Sequence, residues 1–272
     1  MKVRRIAGAL GAEISGVQLN DELGAGTVAE IRKAFLEHQV VFFRDQKLDP
    51  AQFMAFARRM GEPVEYPFVK GIDGFPEVIE VKKLEHERTN FGGIWHSDTS
   101  YLQDPPMGSM LLARELPPYG GDTLFANQYL AYEALSEAMR RMLEGLTALN
   151  SSSKADASRT REDRIKERGT RSEELVAEHP VVRTHPETGR KALYVNSGHT
   201  VRFAGWTEEE SAPLLNYLFD FQVRPEFTCR FSWRPGSIAL WDNRCAQHNP
   251  VNDYHGHRRV MHRITLAGDK PK

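Results

Sequence analysis

Only two cysteines, Cys229 and Cys245, occur in 272 residues, so the chain carries neither a disulfide framework nor a CxxC metal pair. That usage fits a reducing compartment; the chain is read as cytoplasmic, with both thiols as small buried side chains. An excess of one charge is also missing, since 36 Lys and Arg stand against 37 Asp and Glu, a formal net charge of -1. Such a balance leaves no overall field to attract nucleic acid or an anionic membrane. Neither is expected as a partner, and any anion selectivity must be local. No stretch approaches the roughly 18 uninterrupted apolar residues of a membrane span. The opening basic residues Lys2, Arg4 and Arg5 precede an apolar run from Ile6 to Ala12. That run is interrupted by glycines and closed by Glu13, which is too short for the core of a secretory leader. The sequence has no repeat, low-complexity tract or linker, and residues 1–272 are read as one domain.

What is present is an ordinary globular composition, 40% hydrophobic and 27% charged, which supplies a sizeable core and is compatible with a homo-oligomer. Glycines punctuate residues 3–19 as short strands and turns. From Thr27, apolar residues at helical spacing predict a helix that ends before the β-branched and aromatic run Val40-Val41-Phe42-Phe43. A second helix has clear punctuation, with Asp49 as its cap, Pro50 in its first turn and Gly61 at its end. Strand patterns follow at 78–81, 94–102, 107–116 and 122–126. A helix is expected over 128–146 with Leu135, Met139, Met142, Leu143 and Leu146 as its buried stripe. Residues 151–174 are polar without apolar periodicity and far exceed an ordinary connection, so they read as a solvated insert or a lid. A hairpin around Pro186-Glu187-Thr188-Gly189, a helix capped by Thr207 and Glu210, and strands at 227–233, 237–241 and 258–266 complete the chain. Strands bracketing helical insertions suit a mainly β fold with α insertions, a double-stranded β-helix (jelly roll) with flanking helices.

His-x-Asp occurs once, at His96-Ser97-Asp98. Residues two apart at a strand end point to one face and can share an ion. Far downstream, the apolar strand Ile238-Ala239-Leu240-Trp241 leads through Asp242-Asn243-Arg244 to His248, and Arg259 follows eleven residues later. Two imidazoles and one carboxylate leave about three positions of an octahedral metal open, the facial arrangement of non-haem Fe(II) oxygenases. His185-Pro186-Glu187 is a similar triplet, but it lies in the hairpin turn and reads as incidental. His255 and His257 lie in a glycine-containing turn, and His262 alternates away from the arginine face. Arg259, Met261 and Arg263 share that face, and two guanidinium groups inside a barrel each need an anion. The bland reading leaves His248 as a structural histidine and both arginines paired with acids or in solvent.

The series Trp95-His96-Ser97-Asp98-Thr99, Gly120-Gly121-Asp122-Thr123, Trp241-Asp242-Asn243-Arg244 through His248, and Arg258-Arg259-Val260-Met261-His262-Arg263 closely resembles the taurine dioxygenase family of Fe(II)- and 2-oxoglutarate-dependent oxygenases. The likeness spans nearly the whole chain. It implies Fe(II) as cofactor, 2-oxoglutarate and dioxygen as co-substrates, and His96, Asp98 and His248 as the metal ligands. Thr123 and Arg259 would hold the distal carboxylate of 2-oxoglutarate, while Arg263 would face an acidic group on the substrate. Because the carboxylate Asp98 is retained, the resemblance implies hydroxylation rather than halogenation.

Two departures bear on the substrate. Tyr66 stands where taurine-specific members carry a histidine, which removes a source of positive charge but leaves a hydrogen bond. Gly92 stands where they carry an asparagine. The stretch Gly71-Ile72-Asp73-Gly74-Phe75-Pro76 is similar to phenoxyalkanoate-cleaving members. The expected substrate is a small anionic organic molecule: a sulfonate, a sulfate ester or an aryloxy or alkyl carboxylate. Tyr66, Phe68, Tyr101, Phe203 and Trp206 are candidate walls, each equally readable as an ordinary core aromatic. A zinc hydrolase, a cupin-type isomerase or a non-catalytic acid-binding barrel could use the same three ligands. The position of Arg259 argues against all three.

Overall fold

In the computed structural model, which describes residues 1–20, 23–154 and 174–272, strand patterns and helix caps explain most of the elements. The chain opens with β1 (Lys2–Arg5) and β2 (Ala12–Ser15), followed by α1 (Ala25–His38) and β3 (Val40–Phe43). Next come α2 (Pro50–Met60), β4 (Pro63–Val64), β5 (Val78–Lys83), β6 (Gly108–Glu115) and β7 (Thr123–Asn127). Then α3 (Gln128–Glu133), α4 (Glu137–Glu144), β8 (Thr147–Ser151), β9 (Val176–Pro180), β10 (Val182–Thr184), β11 (Lys191–Leu193) and β12 (Thr200–Phe203) lead to α5 (Glu208–Phe221). The chain ends with β13 (Thr228–Phe231), β14 (Ile238–Asp242), β15 (Ala246–Pro250) and β16 (Arg259–Leu266).

The large sheet runs β1-β2-β3-β14-β6-β16-β4, with β5 also paired to β16, and a second sheet runs β13-β7-β15. Period-two alternation separates the two faces of the large sheet. Val41, Phe43, Ile238 and Leu240 pack with Phe35, Phe53 and Phe56 under α1 and α2. Val40, Phe42, Ala239 and Trp241 turn the other way, toward Phe125 and Phe231 of the second sheet. Phe42 and Phe231 stack there with ring centroids 3.9 Å apart. Two facing sheets with helices on one outer face form the expected double-stranded β-helix. A third core, including Leu143, Phe203, Leu215 and Leu218, lies where β8, β9 and β12 meet α4 and α5.

The caps form as the sequence predicts. Asp49 accepts from Gln52 N and Thr207 from Glu210 N, each in a reciprocal capping box. The expected helix over 128–146 instead divides into α3 and α4. Ser136 caps a new start by accepting from Met139 N, and Met142 falls outside the buried stripe at 45% exposure. Residues 94–102 form no strand; a single antiparallel bridge at His96 is all that remains of that expectation. Conversely, His248 lies within β15, whose Ala-Gln-His-Asn-Pro sequence has little strand propensity of its own and is held by pairing with β7.

The two levels of structure should separate energetically. Phe42→Ala should destabilise the protein by about 3–5 kcal/mol through the cavity it leaves, and Asp49→Ala by about 1 kcal/mol through the lost cap. Urea denaturation of both variants checks the order, and a larger loss for Asp49→Ala would contradict this division.

Candidate metal centre and anion chamber

Three donors converge from two distant segments. His96 and His248 exchange both backbone hydrogen bonds, His96 N to His248 O at 3.1 Å and His248 N to His96 O at 2.9 Å. This bridge sets the imidazoles side by side, with centroids 4.2 Å apart. Asp98 Oδ1 lies 3.6 Å from His96 Nε2 and 3.9 Å from His248 Nε2. The three ligand atoms therefore fall within 4.8 Å of one another, and all three residues are buried. The expected same-face placement is achieved without a strand, because the chain turns sharply here, with Thr99 at φ 42°.

The donors are also prepared electronically. His96 Nδ1 lies 2.7 Å from the Ile94 carbonyl, which only accepts, so Nδ1 carries the proton and Nε2 presents its lone pair. Burial opposes ionisation of Asp98, but the field of the Arg263 guanidinium leads the interactions that outweigh it and hold the carboxyl well below its ordinary value. Burial keeps His248 neutral, its pKa well below the ordinary value. Neutral imidazoles and an ionised carboxylate are the forms that bind a divalent metal. Ser109 Oγ donates to Asp98 Oδ2 at 2.7 Å and accepts from Asn243 Nδ2 at 3.1 Å. Asn243 Oδ1 in turn accepts from Asp98 N and Trp241 Nε1. Ser109 and Asn243 thus aim the carboxylate, although sequence spacing gave no sign of Ser109.

Two cavities meet at this cluster, sharing Phe91, His96 and Arg263. The first is lined by Thr123, Trp233, His248 and Arg259 among others. Arg259 is 5% exposed, and its Nε and Nη2 have no hydrogen-bond partner among the described residues. Burial pulls its pKa down, with Tyr254 and Asp122 opposing. Thr123 Oγ1 accepts from Trp233 Nε1 at 3.0 Å, leaving its own proton free to donate. Gly121, at φ 69°, makes room for this arginine, since a Cβ there would lie 3.3 Å from Arg259 Cδ and Nε.

The second cavity is lined by Tyr66, Gly92, Ile94, Tyr101, His199 and Arg263 among others. Arg263 Nη2 lies 2.8 Å from Asp98 Oδ1, and its guanidinium sits 5.1 Å above the Tyr66 ring. Burial and the neighbouring Tyr66 raise the Tyr101 hydroxyl well above its ordinary pKa, so it stays protonated. Gly92, at φ 65°, leaves no space for a side chain, because a Cβ would lie 2.8 Å from His96 Cε1.

A family model described as "Taurine catabolism dioxygenase TauD, TfdA family" matches residues 2–265. The chain belongs to this family. Family members similar to it include an alkylsulfatase of Acinetobacter baylyi, 39% identical over 99% of this chain and 86% of the relative. Another is an alpha-ketoglutarate-dependent sulfate ester dioxygenase of Pseudomonas putida, 38% identical over 100% of this chain and 91% of the relative. Among solved structures, a taurine dioxygenase from Burkholderia xenovorans superposes with a TM-score of 0.84 at 38% identity, covering 99% of this chain and 92% of the other.

Other candidates fall elsewhere in this TauD/TfdA fold. Phe68 packs on Tyr66 and Tyr101, whereas Phe203 is in the third core and Trp206 is 37% exposed. His185 approaches Asp242 and Cys245 in a second buried group. There the Asp242 carboxylate is already engaged by Arg244 at 2.7 and 2.8 Å and by His185 Nε2 at 3.0 Å. A cation would have to sit beside that guanidinium, so this group reads as a structural ion pair. Of the insert expected at 151–174, Ser151 belongs to β8 and residues 155–173 lie outside the described residues. Its flanks are tied together, Ser152 N to Leu175 O at 2.9 Å and Ser153 Oγ to Glu174 at 2.8 Å.

Among the described residues, no helix is long and apolar enough to cross a membrane. Alanine at His96, Asp98 or His248 should abolish binding of Mn(II), a redox-quiet stand-in for iron. Ser109→Ala, which keeps all three donors, should weaken it about 10- to 100-fold. Calorimetric titration measures both effects, and unchanged affinity in Ser109→Ala would remove the aiming role given to that hydroxyl.

Proposed function

We propose that this chain is an Fe(II)- and 2-oxoglutarate-dependent dioxygenase that hydroxylates the carbon bearing the ester oxygen of an organic sulfate. One observation carries the reading: a buried guanidinium, Arg259, without a hydrogen-bonded acid among the described residues, opens into the cavity that also contains His96 and His248. A zinc hydrolase has no use for such a cation at that place, and a passive acid-binding barrel has none for three metal donors beside it. A dicarboxylic co-substrate does, since Arg259 and the free proton of Thr123 match one carboxylate.

His96, Asp98 and His248 would hold iron, whose bound form supplies the oxidising chemistry by coupling dioxygen to decarboxylation of the 2-oxo acid. The protein's part is positioning. Arg263 keeps Asp98 ionised, Ser109 and Asn243 keep it aimed, and Ile94 O keeps the His96 proton away from the metal side. Arg259 and Thr123 anchor the far end of 2-oxoglutarate, and Trp233 keeps the Thr123 hydroxyl turned toward it. Phe91 stands between the two cavities as an apolar wall, which limits water beside the reacting carbon.

For the substrate, the second cavity offers the Arg263 guanidinium, whose Nη2 faces Asp98 while its Nε has no hydrogen-bond partner among the described residues, against the neutral walls Tyr66, Phe91, Ile94 and Tyr101. That arrangement suits a monoanionic head on an apolar body. Sulfate esters are favoured because the alkylsulfatase and the sulfate ester dioxygenase resemble the chain along nearly its full length. The net reaction takes R-CH2-OSO3⁻, 2-oxoglutarate and O2 to R-CH(OH)-OSO3⁻, succinate and CO2. The hydroxylated ester then collapses to R-CHO and sulfate with loss of a proton. Residues 1–272 act in this reading as one catalytic domain in a reducing compartment, in keeping with two buried free thiols.

The iron-loaded protein given 2-oxoglutarate and medium-chain alkyl sulfates should release succinate, sulfate and aldehyde in equal amounts. Arg259→Ala should raise KM for 2-oxoglutarate at least about 30-fold. Faster turnover of sulfonates or aryloxy acids in the same panel would overturn the sulfate ester assignment. Succinate formation independent of Arg259 would overturn the anchor.

A further inference from the structure

Lys83 is a further cation lining the first cavity, and none of the assignments above uses it. Lys83 closes β5 and is 5% exposed, an unusual burial for lysine. In the antiparallel pairing of β5 with β16 it stands directly opposite Arg259, so both side chains leave the sheet on one face. Both line the cavity that holds Thr123, Trp233 and His248. Lys83 Nζ donates to Asn252 Oδ1 at 2.5 Å and sits 4.2 Å from the centre of the Tyr254 ring. Among the described residues it makes no ion pair with a carboxylate, and neither does Arg259.

Like charges directly opposite each other across two strands destabilise a sheet. Burial lowers the Lys83 pKa; the field of Glu87 raises it and that of Arg259 lowers it further. Asn252 and Tyr254 satisfy the ammonium geometrically, since an amide oxygen and an aromatic face both attract a cation, but neither neutralises it. An anion between the two cations would relieve the repulsion and use donors that are otherwise idle. A carboxylate has two oxygens and about four acceptor sites, enough for the Arg259 fork, the Thr123 hydroxyl and one ammonium proton.

We propose that Lys83 is a second cationic contact for the distal carboxylate of the dicarboxylic co-substrate, and that it tightens the requirement for a dicarboxylic over a monocarboxylic 2-oxo acid. Lys83 is a binding and positioning residue in this arrangement, not one that touches the reacting atoms. The inference rests on the dioxygenase reading given above, and its test separates the two.

Mn(II)-loaded wild-type protein and the variants Lys83→Met and Lys83→Gln are titrated calorimetrically with 2-oxoglutarate and with 2-oxobutyrate, which lacks the distal carboxylate. Lys83→Gln retains a donor toward Asn252, which provides a folded comparison if the methionine variant is unstable. Thermal melting and Mn(II) affinity of each variant report on the fold. The expected result is a loss of about 10- to 100-fold in affinity for 2-oxoglutarate in both variants, the range of one charge-assisted hydrogen bond, with 2-oxobutyrate binding unchanged within about twofold. Equal losses for both acids, or no loss for either, overturn the role of Lys83. Failure of the wild-type protein to prefer 2-oxoglutarate overturns instead the reading on which the inference rests.

Discussion

The site depends on one pair of backbone hydrogen bonds, those exchanged by His96 and His248. Neither residue is placed by a long regular strand of its own segment. His96 lies in a turning stretch, and β15 has a sequence of weak strand propensity. The bridge extends the second sheet by one residue and so brings the His-x-Asp segment to the sheet edge that carries the second imidazole. Once it forms, Asp98 has little freedom, because Ser109 and Asn243 take its second oxygen and its backbone amide. Three candidate ligands from two segments about 150 residues apart are thereby held with few degrees of freedom, as a metal site requires.

Charge is distributed in two contrasting ways within the same interior. Around Arg244 every cation has its acid, with Asp242 and Glu187 both at 2.7 Å and Arg32 also joined to Glu187. That network ties β14 to the hairpin of β10 and β11 and leaves nothing for a ligand. Arg259 and Lys83, by contrast, make no ion pair among the described residues and line a cavity. A buried cation without a partner is costly in the empty protein and becomes useful when an anion arrives. The difference between satisfied and unsatisfied buried charge separates scaffold from binding site here more sharply than residue type does. His185 illustrates the point, because a His-x-Glu triplet that looks like a ligand pair is consumed by the satisfied network.

Much of the framework was legible locally. The capping residues Asp49 and Thr207, the hairpin around Gly189 and the alternating faces of β3 and β14 follow from nearest-neighbour chemistry and from side-chain period. The metal-ligand candidates and Arg259 were legible because each stands out by type within a patterned segment. Other features depended on contacts with distant residues. Ser109 looks like any strand serine until the fold puts it against Asp98, and Lys83 like any surface lysine at a strand end until β16 covers it. Ser136 divides an apolar helical run because its hydroxyl finds a free amide, a local event that the hydrophobic stripe concealed.

The sequence by itself determined the chemistry on offer: two imidazoles, one carboxylate, a hydroxyl and a set of guanidinium groups on strands whose alternation chose their faces. Tertiary structure decided which of these groups meet and which charges stay unpaired. Side-chain direction along a strand is set by backbone geometry within a few residues, whereas convergence and burial depend on sheet pairing between segments separated by much of the chain.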